Sequence, residues 1–390
     1  MKILITGNLG YVGPAVIQRL RECFSGATLI GLDMGFFAHC LTAPEMVSRA
    51  QVDIQYFADV RKPPDEVLQG IDVIVYLAAI SNDPMGALFE DVTANVNHHA
   101  AYALAVKAKA RGVKSFIFAS SCSVYGFAEG ARDEDSPLNP LTAYAKSKLG
   151  AEKDLSRLAD ERFVVTCLRF ATACGMSERL RLDLVLNDFV ASALVNGEII
   201  ILSDGTPWRP LIHIKDMAKA IEWGIRRKSQ DGGEALSINV GSNQWNYQVR
   251  QLADAVAQVI PGTTISINEG AQPDRRSYQV SFDRFMKLAP EFQPSIDLQS
   301  AIVELKDGMK SINFNNKDFR NSQLIRLNLL KRLKTAIVEL KDGMKAINFQ
   351  DKDFRNSQLI RLNLLKQLKT TQLITENLDW VTGKADPIPA

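Results

Sequence analysis

Short apolar runs punctuate the first half of the chain at regular intervals. KILITG, ATLIGLD, DIQYFAD, VIVYLAA, SFIFAS and FVVTCLR are rich in Val, Ile and Phe and read as buried strands. Between them, VGPAVIQRLREC and VNHHAAYALAVKAKARG place apolar residues at helical spacing. Strand–helix alternation of this kind predicts a doubly wound parallel sheet covered on both faces. Beyond about residue 172 the rhythm loosens. The pattern predicts a helix over 182–196, a strand at IIILS, a strand–helix pair (LIHI, then DMAKAIEWGIRR), a strand at LSINVG and a helix at YQVRQLADAVAQVI. The expected organisation is a first domain over 1–172, joined again by segments about 206–242. A smaller mixed α/β domain interleaves with it over 173–300, and a helical tail spans 301–390.

The tail is a tandem duplication. Residues 301–335 recur at 336–370 with differences only at Ser311/Ala346, Asn315/Gln350, Asn316/Asp351 and Arg332/Gln367. Each copy holds two amphipathic helical stretches, AIVELKDGMKSI and SQLIRLNLLKRLK in the first. Two units fall short of the three that a solenoid needs. The segment reads either as one copy docked on the body with the other surplus, or as an arm for oligomerisation or partner binding.

Composition narrows the class. The 390 residues hold 46 Lys and Arg against 44 Asp and Glu, which gives no electrostatic reason for a nucleic-acid or membrane partner. Five cysteines, with no C-x-x-C pair, argue against a disulfide framework or zinc ribbon and suit a reducing compartment. MKILITG enters a strand with no signal-like segment, and no apolar run spans a bilayer. A cytoplasmic protein is expected. His98 and His99 share a helix without metal-ligand partners, and His213 reads as a packed strand residue, so no metal site is expected.

Chemistry first shows itself at Thr6-Gly7-Asn8-Leu9-Gly10-Tyr11-Val12-Gly13, between a strand and a helix. Gly7 permits the tight turn, Gly10 lets backbone approach a pyrophosphate, and Gly13 allows close helix–strand packing, with the helix N-terminus facing the phosphates. Asp33 ends the next strand about 20 residues on, at the spacing of a ribose-binding acid. Its charge would repel a 2′-phosphate, and no arginine follows in DMGFFAHC to receive one, so NAD is favoured over NADP. Asp59 reads either as an acceptor for the adenine amino group or as a turn aspartate.

Tyr144 and Lys148 lie four apart on one helix face. A phenol of pKa near 10 is a poor base at neutral pH, and a neighbouring ammonium favours the phenolate. Upstream, ASSCSVYG sets hydroxyls at a strand end where they could bond the same substrate oxygen.

Taken together, TGNLGYVG, Asp33, YLAAIS, SSCSVYG, YAKSK and RPLIHIKDMAKA resemble the extended short-chain dehydrogenase/reductase family over about residues 1–300. These are NAD-dependent sugar-nucleotide epimerases, dehydratases and ketoreductases. The resemblance implies a Rossmann domain, a small substrate domain and a homodimer formed through a four-helix bundle. It implies Tyr144 as acid/base, Lys148 on the nicotinamide ribose, Ser121 on the reacting oxygen and Asn95 holding the lysine through water. Val60, Leu77, Ala78 and Ala79 would line the cofactor. Arg209 would clamp the substrate diphosphate, with Arg275 or Arg276 near a second such arginine. Thr172 stands where the family commonly places a phosphate-contacting Asn, and Ser81, Asn82, Asp83 and Ser123 fall on the sugar side.

The resemblance also narrows the reaction. Dehydratases of the family carry Asp and Glu directly after the catalytic hydroxyl, and 3,5-epimerases a cysteine at the second position. Cys122 and Ser123 stand there instead, so Cys122 reads as a packing residue and simple hydride chemistry at one carbinol remains. The expectation is a C4-type epimerase acting through transient oxidation. An NAD(P)-dependent ketoreductase of a 4-keto sugar nucleotide is the alternative, and a non-catalytic dinucleotide-binding regulator is a third reading.

Overall fold

A computed structural model of the chain describes residues 1–36, 52–81, 83–267 and 277–328, with Lys331, Thr335, Val338 and Glu339 as further single positions. Asn82, Arg275, Arg276 and, apart from Val338 and Glu339, the second repeat copy lie outside the described residues. The chain divides into two units, Met1–Leu329 and Leu330–Ala390. Every β-strand among the described residues lies in the first.

In chain order the elements of that unit are β1 (Lys2–Thr6), α1 (Gly13–Cys23), β2 (Thr28–Asp33), β3 (Ile54–Phe57), β4 (Val73–Tyr76), α2 (Asp83–Leu88), α3 (Glu90–Ala94), α4 (Ala100–Ala110) and β5 (Ser115–Ser121). Next come β6 (Ala131–Arg132), α5 (Ala143–Ser156), β7 (Val164–Phe170), β8 (Thr172–Cys174), α6 (Val185–Asn196), β9 (Glu198–Ile201), β10 (Trp208–His213) and α7 (Ile214–Arg226). The last are β11 (Ala235–Val240), β12 (Asn246–Gln248), α8 (Val249–Val259), β13 (Thr264–Ile267), β14 (Gln279–Val280), α9 (Asp283–Leu288) and α10 (Leu298–Ser311).

Seven strands form one parallel sheet in the order β11-β7-β5-β4-β1-β2-β3. Its apolar strands are continuous because both faces are covered. Val16, Ile17 and Leu20 of α1 pack with Ile221 and Trp223 of α7 in one core. Ala101, Leu104 and Ala108 of α4 pack with Leu155 of α5 in the other. The strand order reverses between β1 and β4, so a crevice opens beyond their C-terminal ends. This is the Rossmann-type sheet that the alternation predicts.

A three-stranded sheet, β12-β10-β8, and a pair, β13-β9, build the smaller part with α6, α8 and α10. Of the segment expected to rejoin the first domain, α7 and β11 pack on or join the large sheet, whereas β10 pairs with β8 and β12.

Residues 301–328 of the first repeat copy belong to this body. Asp297 caps α10 by accepting from the Ser300 amide at 2.7 Å, and Ala301, Ile302, Leu305, Met309 and Phe319 are buried. The second stretch, SQLIR, departs from the expected helix. Residues 322–325 form turns, because the Ser322 hydroxyl accepts from the Leu324 amide and the Leu324 carbonyl accepts from the Leu182 amide at 3.0 Å. The same bond holds 182 out of a helix, so α6 starts at Val185 and not at 182. Among the described residues, no helix is long and apolar enough to cross a membrane.

Candidate functional site

A cleft of about 1040 Å³ runs from the ends of β1 and β4, past β5 and α5, to the segment before α6. Its first wall is the loop from Gly7 to Gly13. Gly7 has φ +72°, and a Cβ there would lie 2.6 Å from the Ala78 amide nitrogen, so loop and β4 end meet at van der Waals limit. A Cβ at Gly13 would lie 2.0 Å from the Asn8 carbonyl oxygen. Gly7, Gly10, Tyr11, Val12 and Gly13 line the cleft with Asp33, Asp59, Val60, Leu77, Ala78 and Ala79. A cradle kept open by missing Cβ atoms, ahead of the α1 N-terminus and with a carboxylate at the next strand end, fits a dinucleotide.

Several residues of that wall have structural duties as well. Asn8 is buried and its amide nitrogen donates to Gln55 Oε1 at 2.7 Å, so its side chain holds the loop to β3. The Leu9 amide donates to Asp33 at 3.1 Å, and the Gly35 amide to the same carboxylate at 2.7 Å. Burial pushes the Asp33 carboxyl up, and these two amides pull it back. Tyr11 reaches across the cleft, donating to the Gly175 carbonyl at 2.6 Å and accepting from Asn187 at 3.0 Å. Asp59 is engaged by Arg61 through both carboxylate oxygens, the geometry of the turn aspartate.

The second wall holds Ser121, Tyr144 and Lys148. Thr142 caps α5, its hydroxyl accepting from the Ala145 amide at 3.1 Å, and one face of the helix turns Tyr144 and Lys148 into the cleft. Burial drives the Tyr144 phenol up to about 12, and a hydrogen bond with Ser121 opposes that rise. Burial drives the Lys148 ammonium down to about 7. Lys148 Nζ donates to the Ala119 carbonyl at 2.7 Å and lies 5.7 Å from the Tyr144 ring centroid. Ser121, at the end of β5, therefore shares one corner with both.

The serine cluster divides its work. Ser120 turns inward and donates to Glu152, which Arg169 grips with bonds of 2.7 to 3.1 Å. Arg169 also donates to Tyr125, and Tyr125 to Asn239. Cys122 is fully buried, burial holds its thiol well above the ordinary value, and its sulfur donates to the Arg169 carbonyl. Ser123 lines the cleft, and its hydroxyl is buried without a partner among the described residues.

Asn95 is exposed at the start of a π-helical turn, Asn95–His99, and the inward asparagine is Asn97. Asn97 binds both backbone groups of Ile80 and donates to Ser147 at 3.0 Å, tying the end of β4 to α5. The buried positions Thr93, Asn97 and Ala101 recur every four residues, a helical signal that singles out Asn97.

The far wall holds Ser81, Asp83, Thr172 and Arg209. It also holds residues that sequence reasoning passed over: Arg181, Asp183, Arg320 and Arg326. Arg326 is buried and donates to the Arg179 carbonyl at 3.0 Å, and Arg320 grips Asp188 through both oxygens. The first repeat copy thus supplies part of this wall.

A model of the NAD dependent epimerase/dehydratase family matches residues 3–241. An uncharacterized UDP-glucose epimerase of Bacillus subtilis (strain 168) is 30% identical over 252 residues, 61% of this chain and 76% of that protein. A dTDP-glucose 4,6-dehydratase of Streptomyces griseus is 28% identical over 309 residues, 77% of this chain and 92% of its own length. Among solved structures, the UDP-glucuronic acid 4-epimerase from Bacillus cereus in complex with UDP-glucuronic acid and NAD superposes with a TM-score of 0.69. Its identity is 21%, over 80% of this chain and 100% of that one.

Proposed function

The chain belongs to the NAD dependent epimerase/dehydratase family, and from that premise we propose that it is an NAD-dependent 4-epimerase of a nucleotide sugar. The observation that carries this reading is the single corner formed by Ser121, Tyr144 and Lys148, with a buried thiol and a serine, not a carboxylate pair, directly after Ser121. Such a corner suits removing and returning one hydroxyl proton, and it lacks at those positions an acid to expel water.

Tyr144 takes the proton of the C4 hydroxyl while the Ser121 hydroxyl holds the same oxygen. The Lys148 charge favours the phenolate in the cleft, where burial alone disfavours it. NAD, when bound, would supply a hydride acceptor and donor at C4. Gly7 to Gly13, Asp33 and the small pair Ala78 and Ala79 are the residues that would hold it. Tyr144 then returns its proton to the C4 oxygen, and inversion requires the sugar to present its other face within the cleft. Arg209 suits the diphosphate. A homodimer goes with this reading, because Tyr102, Val106 and Ala110 form an outward apolar line on α4.

The test is a screen of nucleotide sugars with the purified full chain. Interconversion of 4-epimers without added reductant, lost in Tyr144→Phe while NAD binding persists, is the expected result. Stoichiometric NADH consumption with a 4-keto sugar would mark a reductase, and a neutral Tyr144→Phe would mark a binding protein.

A further inference from the structure

Tyr11 belongs to the glycine loop, yet its side chain ends among residues of the far wall. The residue is buried, and its hydroxyl donates to the Gly175 carbonyl at 2.6 Å while accepting from Asn187 Nδ2 at 3.0 Å. Gly175 follows β8, and Asn187 lies in the first turn of α6. The Gly175 amide donates to Asn187 Oδ1 at 3.1 Å, and Asn187 Nδ2 also donates to the Arg181 carbonyl at 2.9 Å. One phenol hydroxyl thus joins both ends of the segment that carries Arg181. Residues 175–184 form no helix or strand, so side-chain bonds and not a ladder set the path of this backbone. Burial holds the Tyr11 phenol well above its ordinary value, which keeps the donor protonated.

We infer that Tyr11, a residue of the dinucleotide loop, is a positioning residue for the sugar: its hydroxyl fixes the segment 175–187 and with it the stand of Arg181 and Ser81 against the substrate. The inference rests on the nucleotide-sugar reading above and adds a residue that serves it. Arg181 donates to the Ser81 hydroxyl at 2.7 Å, and both residues line the cleft. Arg181 lies close enough to Tyr144 for its charge to favour the phenolate, which puts it at the reacting end of the cleft. The glycine loop, by contrast, is held without the Tyr11 hydroxyl. The Gly7 amide donates to the Leu32 carbonyl at 2.9 Å and the Gly10 amide to the Gly7 carbonyl at 3.0 Å. Asn8 binds Gln55, the Leu9 amide binds Asp33, and the Tyr11 carbonyl accepts from Ser177 at 2.8 Å. Losing the hydroxyl therefore loosens the sugar side and leaves the dinucleotide cradle in place.

The experiment is calorimetric titration of the full chain and of Tyr11→Phe, which keeps the ring in the core and removes only the hydroxyl. The ligands are NAD and then, on the NAD-loaded protein, UDP-, dTDP-, ADP- and GDP-glucose beside the four free nucleoside diphosphates. The expected result is a nucleotide glucose bound about 10-fold more weakly, with NAD and the free diphosphate each within about 2-fold of the unaltered chain. Steady-state rates should show the same split, with KM raised and kcat little changed. Asn187→Leu, close in volume, breaks the same joint from the other side and serves where Tyr11→Phe lowers the melting temperature. In the double variant the two losses should not add, since both break one joint. Unchanged nucleotide-sugar binding in a folded Tyr11→Phe overturns the inference. So does an equal loss for NAD, the diphosphate and the nucleotide sugar, which would mark a general loosening. In both cases the parent reading stands. Failure of the unaltered chain to bind any of the nucleotide sugars takes down the parent reading together with this one.

Discussion

Lys148 Nζ donates to the main-chain oxygen of Ala119 at 2.7 Å, which ties helix α5 to the strand that ends in Ser121. This hydrogen bond is one of the contacts that hold the two elements together. The ammonium sits in a buried site that holds its pKa at about 7, against an ordinary 10.5.

That depression has a consequence for stability. Between pH 7 and 10.5 the unfolded chain binds the proton more tightly, so this group makes the folded state gain stability as pH rises through that window. Lys148→Met should therefore raise the melting temperature near pH 7 and remove this part of the pH dependence. Turnover should fall about 100-fold or more. Thermal melts from pH 6 to 10, beside steady-state rates, check both.

Asp33 receives amides from Leu9 and Gly35 and faces the cleft with its remaining acceptor capacity. Asp33→Ala removes the negative charge that opposes a 2′-phosphate. The preference for NAD over NADP should narrow by about 10-fold, an energy of ~1.4 kcal/mol. Fluorescence titration with both dinucleotides measures it.

Beneath the site, Arg169 and Glu152 form an ion pair with side chains 6% and 3% exposed. Removing one partner strands the other, so Glu152→Gln should cost about 3–5 kcal/mol. Replacing both with Met and Leu should cost far less. Urea unfolding of the two variants separates a buried-charge penalty from lost packing.

Phe319, from the first repeat copy, is fully buried beside Phe314 at a centroid distance of 6.0 Å. Phe319→Ala should cost about 3–5 kcal/mol. A loss below about 1 kcal/mol in urea unfolding would contradict the docking of this copy on the body.

Much of the fold was legible because strand and helix periods alternate cleanly from KILITG to FVVTCLR. Ser121, Tyr144, Lys148 and Asp33 were legible for a different reason: each sits at a fixed offset within one local element. Arg181 and Asp183 were not, since their meeting with Ser81 depends on a contact between residues 81 and 181 that no local spacing encodes. The same holds for Arg326, which reads as one charge on an amphipathic stretch until its tertiary bond to Arg179 is seen. Asn95 was named by likeness to a family position; that Asn97 is the buried asparagine of the same turn, bound to Ile80 and Ser147, rests on tertiary contacts.

The central claim is that one hydride leaves C4 and returns to it inside the cleft. A nucleotide hexose carrying deuterium at C4 tests this directly when it is turned over with unlabelled NAD and followed by NMR and mass spectrometry. The account predicts a 4-epimer that keeps its deuterium at C4, with no net NADH formed and no solvent hydrogen incorporated there. Loss of deuterium to the medium, or net consumption of the dinucleotide, would contradict it.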